Sequence, residues 1–330
     1  MMRLFSRFLF SCLALSISFI EISVAQDTGS DEDPYIFVLG ISQDGGTPQA
    51  GSNDHPAWTD PSKRRLATSL GLIDPRSGKT WMFEASPDFR QQWYDLDMQS
   101  RSHSSQETSR DTIPRRAAPD GIFLTHAHMG HYVGLMFLGH ESMGASHLTV
   151  YAMEEMADYL SYNGPWEQLV RYDNIAIREL RHSVPVQLTD DIRVIPLLVP
   201  HRQEYSEVVG YRIEGPNRTV LFIPDIDSWS DWDLEGSRIE RILETVDVAY
   251  LDGTFFGDGE IPGRDMSTFP HPFITTTMDR LADLPENQRS KIRFIHLNHT
   301  NPASDPLSPE AQQISERGFN VAVRGEIIRL

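Results

Sequence analysis

Short apolar runs, most of them ended by Gly, Pro, Asp or His, recur along the chain. Those at 35–39, 65–74, 80–84, 122–124 and 148–152 predict strands, as do 184–188, 192–199, 208–213, 219–223, 248–251 and 292–296. Helices are predicted at 89–96, 131–138, 154–162, 240–246, 274–281 and 309–317. A turn at 75–78 joins two of the strands, and paired glycines (Gly45, Gly46) predict a tight turn in the loop 40–49. Residues 99–116 are polar and aperiodic, which predicts a surface insertion. Two strand-rich halves with helices outside them predict an α/β (α+β) fold of two packed sheets, a four-layer αββα sandwich. Nothing between 35 and 330 reads as a linker, so one domain is expected there.

The first 25 residues change the picture. Arg3 and Arg7 precede an apolar stretch at 8–20, and Ser23-Val24-Ala25 offers a small-x-small cleavage site. The stretch is short for a bilayer span, so an export signal is expected, followed by a flexible lead-in at 26–34. The protein is then periplasmic or secreted, with no membrane association after cleavage. The one cysteine, Cys12, lies in that signal and leaves the remainder without disulfides or thiolate ligands. With 29 basic against 47 acidic residues the formal net charge is −18, which disfavours nucleic acid and anionic lipid as partners. A small-molecule substrate, neutral or cationic, is expected instead. The oligomeric state is not readable.

The chemistry centres on His126-Ala-His-Met-Gly-His131, directly after the apolar run 122–124. A strand ending in His-x-His directs two imidazoles to one side, and His131 opens the following helix. Convergent imidazoles are best explained by a borderline cation such as zinc, with iron as the alternative. Further ligands are expected at later strand ends: His201 after 194–199, Asp225 after 219–223, and His296 after 292–295. His299 follows three residues on and could replace or assist His296, or fix the tautomer of a ligating imidazole.

His-x-His-x-x-His after an apolar strand resembles the signature of the metallo-β-lactamase superfamily, whose four-layer fold is then implied. By that resemblance His126, His128 and His201 hold a first metal, Asp225 bridges, and His131 and His296 form the second site. Most members carry Asp before the last histidine of the motif, where Gly130 stands here. One tight metal and one loose metal are therefore expected. Further stretches are similar to the pyrroloquinoline quinone biosynthesis protein B group and its relatives: 38–49, Glu84-Ala-Ser-Pro-Asp-Phe-Arg90, Asp252-Gly-Thr-Phe-Phe256, Gly263-Arg-Asp-Met266 and Leu297-Asn-His-Thr-Asn-Pro302. The biosynthetic members are cytoplasmic and differ in the histidine motif, so the resemblance implies a relative and not that protein itself.

The implied chemistry is hydrolysis of an ester, lactone, amide or phosphoester by a metal-activated water. Asp225 would position the nucleophile, and His131 or His299 would help stabilise the developing oxyanion. On the substrate side, Asp252 closes an apolar strand, and Arg264, Asp265 and His271 follow in the next loop. Asp44, Gln49, Asp88 and Arg90 are candidates for the pocket mouth, where a purely structural role is equally expected. Two other functions compete: an iron-dependent oxidative enzyme related to quinone cofactor synthesis, and a non-catalytic metal-containing binding or carrier protein.

Overall fold

The computed structural model describes residues 30–102 and 118–330. The expected export signal at 1–25 lies outside these residues, as does most of the expected insertion at 99–116. Among the described residues, no helix is long and apolar enough to cross a membrane.

One sheet contains β1 (Tyr35–Gly40), β2 (Ser69–Asp74), β3 (Lys79–Phe83), β4 (Gly121–Phe123), β5 (Leu148–Ala152) and β6 (Ile175–Glu179). The other contains β7 (Val186–Gln187), β8 (Arg193–Leu198), β9 (Val209–Glu214), β10 (Thr219–Ile223), β11 (Val248–Asp252), β12 (Ile292–Ile295) and β13 (Asn320–Val321). A last strand, β14 (Ile327–Arg329), returns to pair with β1. Each sheet has seven strands, in the orders β14-β1-β2-β3-β4-β5-β6 and β13-β12-β11-β10-β9-β8-β7.

Both halves use the same pairing scheme. Strands β1 to β3 pair antiparallel and β3 to β6 parallel; β7 to β10 pair antiparallel and β10 to β13 parallel. It follows that β1, β3, β4 and β5 run in one direction in the first sheet, and β8, β10, β11 and β12 do so in the second. The carboxyl ends of these strands are where loops gather in such sheets.

Period-two alternation sorts the side chains of the first sheet. Ile36, Val38, Trp81, Phe83, Phe123 and Tyr151 face the second sheet, in a core shared with Tyr211, Phe222 and Tyr250. Tyr35, Leu39, Met82, Ile122, Leu124 and Val150 face outward, against α1 (Phe89–Ser102), α3 (Glu154–Tyr162) and α4 (Trp166–Arg171). The second sheet is covered by α5 (Trp229–Leu234), α6 (Ile239–Leu243), α7 (Ile274–Arg280) and α9 (Pro309–Glu316), with the short α8 (Glu286–Arg289) preceding β12. Helix α9 starts where the sequence supplies a cap: the Ser308 side chain accepts from the Ala311 N–H, and Pro309 takes the first turn. The αββα layering expected from the sequence is the one observed.

The two sheets meet on an aromatic stack. Phe83, Phe123 and Tyr151 are register partners on β3, β4 and β5. Their rings lie 5.0 Å and 4.1 Å apart, nearly parallel. Tyr211, from the second sheet, meets Phe123 edge-on at 5.5 Å, and its hydroxyl donates to the Leu124 carbonyl. These contacts hold the end of β4 in place immediately before the histidines.

Several element boundaries differ from expectation. Helix α1 continues to Ser102, beyond the expected 96, because the polar pair Asp97 and Arg101 is buried as an i,i+4 ion pair at 3.0 Å. The segment 131–138 is a short helix, α2 (Met129–Tyr132), followed by a 3-10 turn over Val133–Leu138. Helix α4, helix α5 and the edge strand β6 carry no clear periodic signal; β6 buries only Ile175 fully.

Candidate metal centre

The loops at the carboxyl ends of the aligned strands bring together residues from 44 to 296. His126, His128 and His131 follow β4, and His201 follows β8. Asp225 follows β10, Asp252 ends β11, and His296 follows β12. Asp44 arrives from the loop after β1. The His-x-His segment is held from both sides: the Ala127 N–H donates to Ser206 Oγ at 2.9 Å, and the Val209 N–H to the Thr125 carbonyl at 3.1 Å.

Two lobes are distinguishable. In the first, His126, His128 and His201 each offer a ring nitrogen within 4.8 Å of the others. His126 Nε2 and His128 Nδ1 are 2.8 Å apart, so the two rings aim at one point. Their remaining nitrogens are engaged elsewhere: His126 Nδ1 with Thr125 Oγ1 at 2.9 Å, and His128 Nε2 with Glu204 at 2.9 Å. His201 Nδ1 lies 2.7 Å from Asp227 Oδ1. Carboxylate and hydroxyl partners of this kind fix the tautomer and ring orientation of ligating imidazoles.

In the second lobe, Asp225 stands between the histidines. Its Oδ2 lies 2.9 Å from His131 Nε2 and 3.7 Å from His126 Nε2, and its Oδ1 is 3.4 Å from both His271 and His296. Asp44 Oδ1 is 3.3 Å from His131 Nε2 and 3.6 Å from His296 Nε2. Glu84, fully buried at the end of β3, sits 3.4 Å from His131 Nδ1. His296 Nδ1 contacts Thr254 Oγ1 at 3.0 Å.

Several of these atoms are buried without a hydrogen-bond partner: Asp44 Oδ1, Asp225 Oδ1, both nitrogens of His131 and His296 Nε2. Native interiors seldom leave such groups unpaired unless an ion or water completes them. Nitrogen and carboxylate oxygen without thiolate suit zinc, iron or manganese. The residues therefore fit a divalent cation.

The electrostatics follow from burial and crowding. Burial, reinforced by neighbouring His131, pushes His126 well below the usual imidazole range, despite the opposing Asp225. Burial acts the same way on His131, but Glu84, Asp225 and Asp44 outweigh it and hold that ring well above its ordinary value. Burial alone would raise Asp225 and Asp44; the surrounding imidazoles hold both carboxyls well below the usual range. His271, buried against Asp252 at 2.8 Å, is pushed up to about 9 because Asp252 and Asp225 outweigh its desolvation.

Backbone strain marks the same place. Asp44, Glu84 and His296 have φ of 28°, 75° and 66°. Non-glycine residues in that region cost on the order of 1–3 kcal/mol each and persist where surrounding structure enforces them.

Among the expected site residues, His126, His128, His131, His201, Asp225 and His296 converge, with His271 and Asp252 alongside. Two expected residues lie apart from the cluster. The His299 ring packs 6.2 Å from His55, and its carbonyl lies 3.1 Å from His55 Nε2. His296, which ends its strand with its ring turned inward, is the one brought to the cluster. Arg264 is exposed on its loop and does not join the cluster, since the chain turns there between Ile261 and Met266 and only Met266 is buried. Of the mouth candidates, Asp88 is structural, accepting from the Ala67 N–H at 2.8 Å, and Arg90 lies over the Phe137 ring. Asp44 is drawn into the centre. Glu84, Thr254, Glu204 and Asp227 were not expected as site residues from the sequence; a carboxylate closing an apolar strand was the available signal for Glu84.

Residues 80–296 match the family model described as Beta-lactamase superfamily domain. The chain belongs to the metallo-β-lactamase superfamily. Within the superfamily it is similar to proteins named coenzyme PQQ synthesis protein B. It is 26% identical over 321 residues to Coenzyme PQQ synthesis protein B of Xanthomonas axonopodis pv. citri, covering 89% of this chain and 99% of that one. Among solved structures, zinc-bound PqqB from Methylobacterium extorquens superposes with a TM-score of 0.68 at 21% identity, over 90% of this chain and all of that one. A diphosphatase of the PhnP family gives a TM-score of 0.60 at 21% identity, over 90% of this chain and 97% of that one. At such identities the structural likeness establishes the fold, and the metallo-β-lactamase chain's chemistry rests on its own residues.

Proposed function

We propose that this protein is a metal-dependent hydrolase of small molecules, zinc being the leading cation. The observation that carries the reading is the convergence of His126 Nε2, His128 Nδ1, His201 and Asp225 from both sheets. Three imidazoles holding a cation leave a position open to water, the pattern of a catalytic site. A zinc-type cation bound there supplies Lewis acidity and a water whose pKa falls to about 7.

The chain's own groups divide the remaining work. Asp225, with one oxygen toward His126 and His131 and the other toward His271 and His296, orients the attacking water. His271 is anchored through Nδ1 by Asp252, whose other oxygen accepts from Thr254. We assign it the proton delivered to the leaving group. Replacing His271 by Ala is expected to lower kcat by about 10²–10⁴ while zinc content is unchanged. Loss of zinc in that variant would instead make His271 a ligand and sink the assignment.

The entrance supports an uncharged substrate. Besides His128, the site members with exposed side chains are the acids Asp44, Glu204 and Asp227, so its rim is acidic. Met129 and Tyr205, adjacent in sequence to His128 and Glu204, expose apolar surface beside it. An ester, lactone or amide with a neutral body suits that rim better than a phosphoester. We further propose that the protein acts after export, on the strength of Arg3, Arg7 and the apolar stretch at 8–20.

Zinc-loaded protein assayed on lactones, carboxylic esters, a chromogenic β-lactam and phosphodiesters, beside His128→Ala, tests the reading. Turnover of a carbonyl substrate that disappears in the variant is expected. A second reading, an iron enzyme of cofactor biosynthesis, is favoured by the sequence likeness to PQQ synthesis proteins. Elemental analysis of protein purified without added metal separates the two; stoichiometric iron with no hydrolysis across the panel would overturn the hydrolase.

A further inference from the structure

Gly130 stands where a carboxylate is common in this superfamily, and the space beside it is already filled. A Cβ built on Gly130 would lie 2.1 Å from Asp44 Oδ1 and 2.5 Å from Asp44 Cα. The Asp44 carboxylate thus occupies the volume that a side chain at 130 would need. We propose that Asp44 is the ligand that completes a second cation site with His131, Asp225 and His296, replacing the carboxylate that position 130 lacks.

Three observations support it. The binding atoms of Asp44, His131 and His296, namely Asp44 Oδ1, His131 Nε2 and His296 Nε2, are all buried and all lack hydrogen-bond partners, and Asp225 adjoins them through Oδ2, 2.9 Å from His131 Nε2. One such atom from each of Asp44, His131 and His296 lies within 4.8 Å of the others. Asp44 is also held in place by its loop. The Gln43 N–H donates to the Leu297 carbonyl and the Leu297 N–H to the Ile41 carbonyl, each at 2.8 Å. Gln43 additionally accepts from the Asn298 side chain. These bonds tie the residue preceding Asp44 to the residue following His296, so the two ligands arrive together. The other nitrogen of His131 faces Glu84, which leaves Nε2 for the cation.

The proposal rests on the reading that His126, His128, His201 and Asp225 hold a first cation, and it replaces the loose second site expected from Gly130 alone. It also accounts for the glycine at 130, since a Cβ there would press on the Asp44 carboxylate and on the Asp44 Cα alike. Gly130→Asp alone should fail, since the new side chain meets the Asp44 backbone.

The test counts zinc. Protein stripped with chelator and dialysed against zinc ion alone is analysed for bound metal. Wild type should hold two zinc ions per chain, and Asp44→Ala and Asp44→Asn one. Titration with cobalt(II), followed by its visible absorption, should break at two equivalents in wild type and at one in Asp44→Asn. Melting in chelator controls for folding, and the isosteric Asn variant stands in if Ala unfolds. Wild type with a single zinc ion, or an Asp44 variant that keeps two with unchanged affinity, overturns the second site and leaves the first intact. Wild type with none overturns both.

Discussion

Asp225→Asn is expected to lower kcat/KM by roughly 10³, on the order of 4 kcal/mol of transition-state stabilisation. The carboxylate touches both lobes, with His126 and His131 near one oxygen and His271 and His296 near the other. Neutralising it removes the group proposed to orient water and the negative charge that stands between the two lobes. It also leaves buried imidazoles without their central counter-charge, so the metal-free protein should lose about 3–5 kcal/mol of stability. Urea unfolding in chelator measures the second effect, and zinc content with turnover the first. A variant that retains full zinc and near-normal turnover would show that Asp225 is not shared between the lobes.

Phe123→Ala should cost about 3–5 kcal/mol, the range for truncating a fully buried aromatic ring. The ring is stacked between Phe83 and Tyr151 and met edge-on by Tyr211, so the loss removes contacts within one sheet and across to the other. Because β4 runs directly into the histidine segment, zinc affinity should fall along with stability. Denaturation midpoints with and without zinc give both numbers. A loss under about 1 kcal/mol would mean that the core closes over the cavity and that the stack is dispensable.

The sequence made much of this site readable, for a physical reason. His126, His128, His201, Asp225 and His296 each follow an apolar run, and a metal-capable side chain placed where a buried strand stops is a recognisable pattern. The layers were readable because β1, β3 and β4 are apolar on both faces, as strands covered on both sides must be. Asp44 and Glu84 also follow strands, yet an acid at a strand end is ordinary turn chemistry. What separates them is a left-handed backbone and a position beside His131, and neither is written in local spacing. Likewise, the gap at Gly130 reads as a missing ligand until a residue far away in sequence is seen to fill it. Helix α1 ran past its expected end because Asp97 and Arg101 satisfy each other inside the protein, where polarity alone had suggested the surface.

The candidate ligands divide between the layers: Asp44 and the His126–His131 segment come from loops of one sheet, and His201, Asp225 and His296 from loops of the other. Bound cations would therefore act as a clasp across the seam, and letting go of metal and parting the sheets would become a single event. Substitutions deep in the seam, far from any imidazole, would then show up as faster metal escape. Chelator-driven release would report on how tightly the two halves of the molecule are shut.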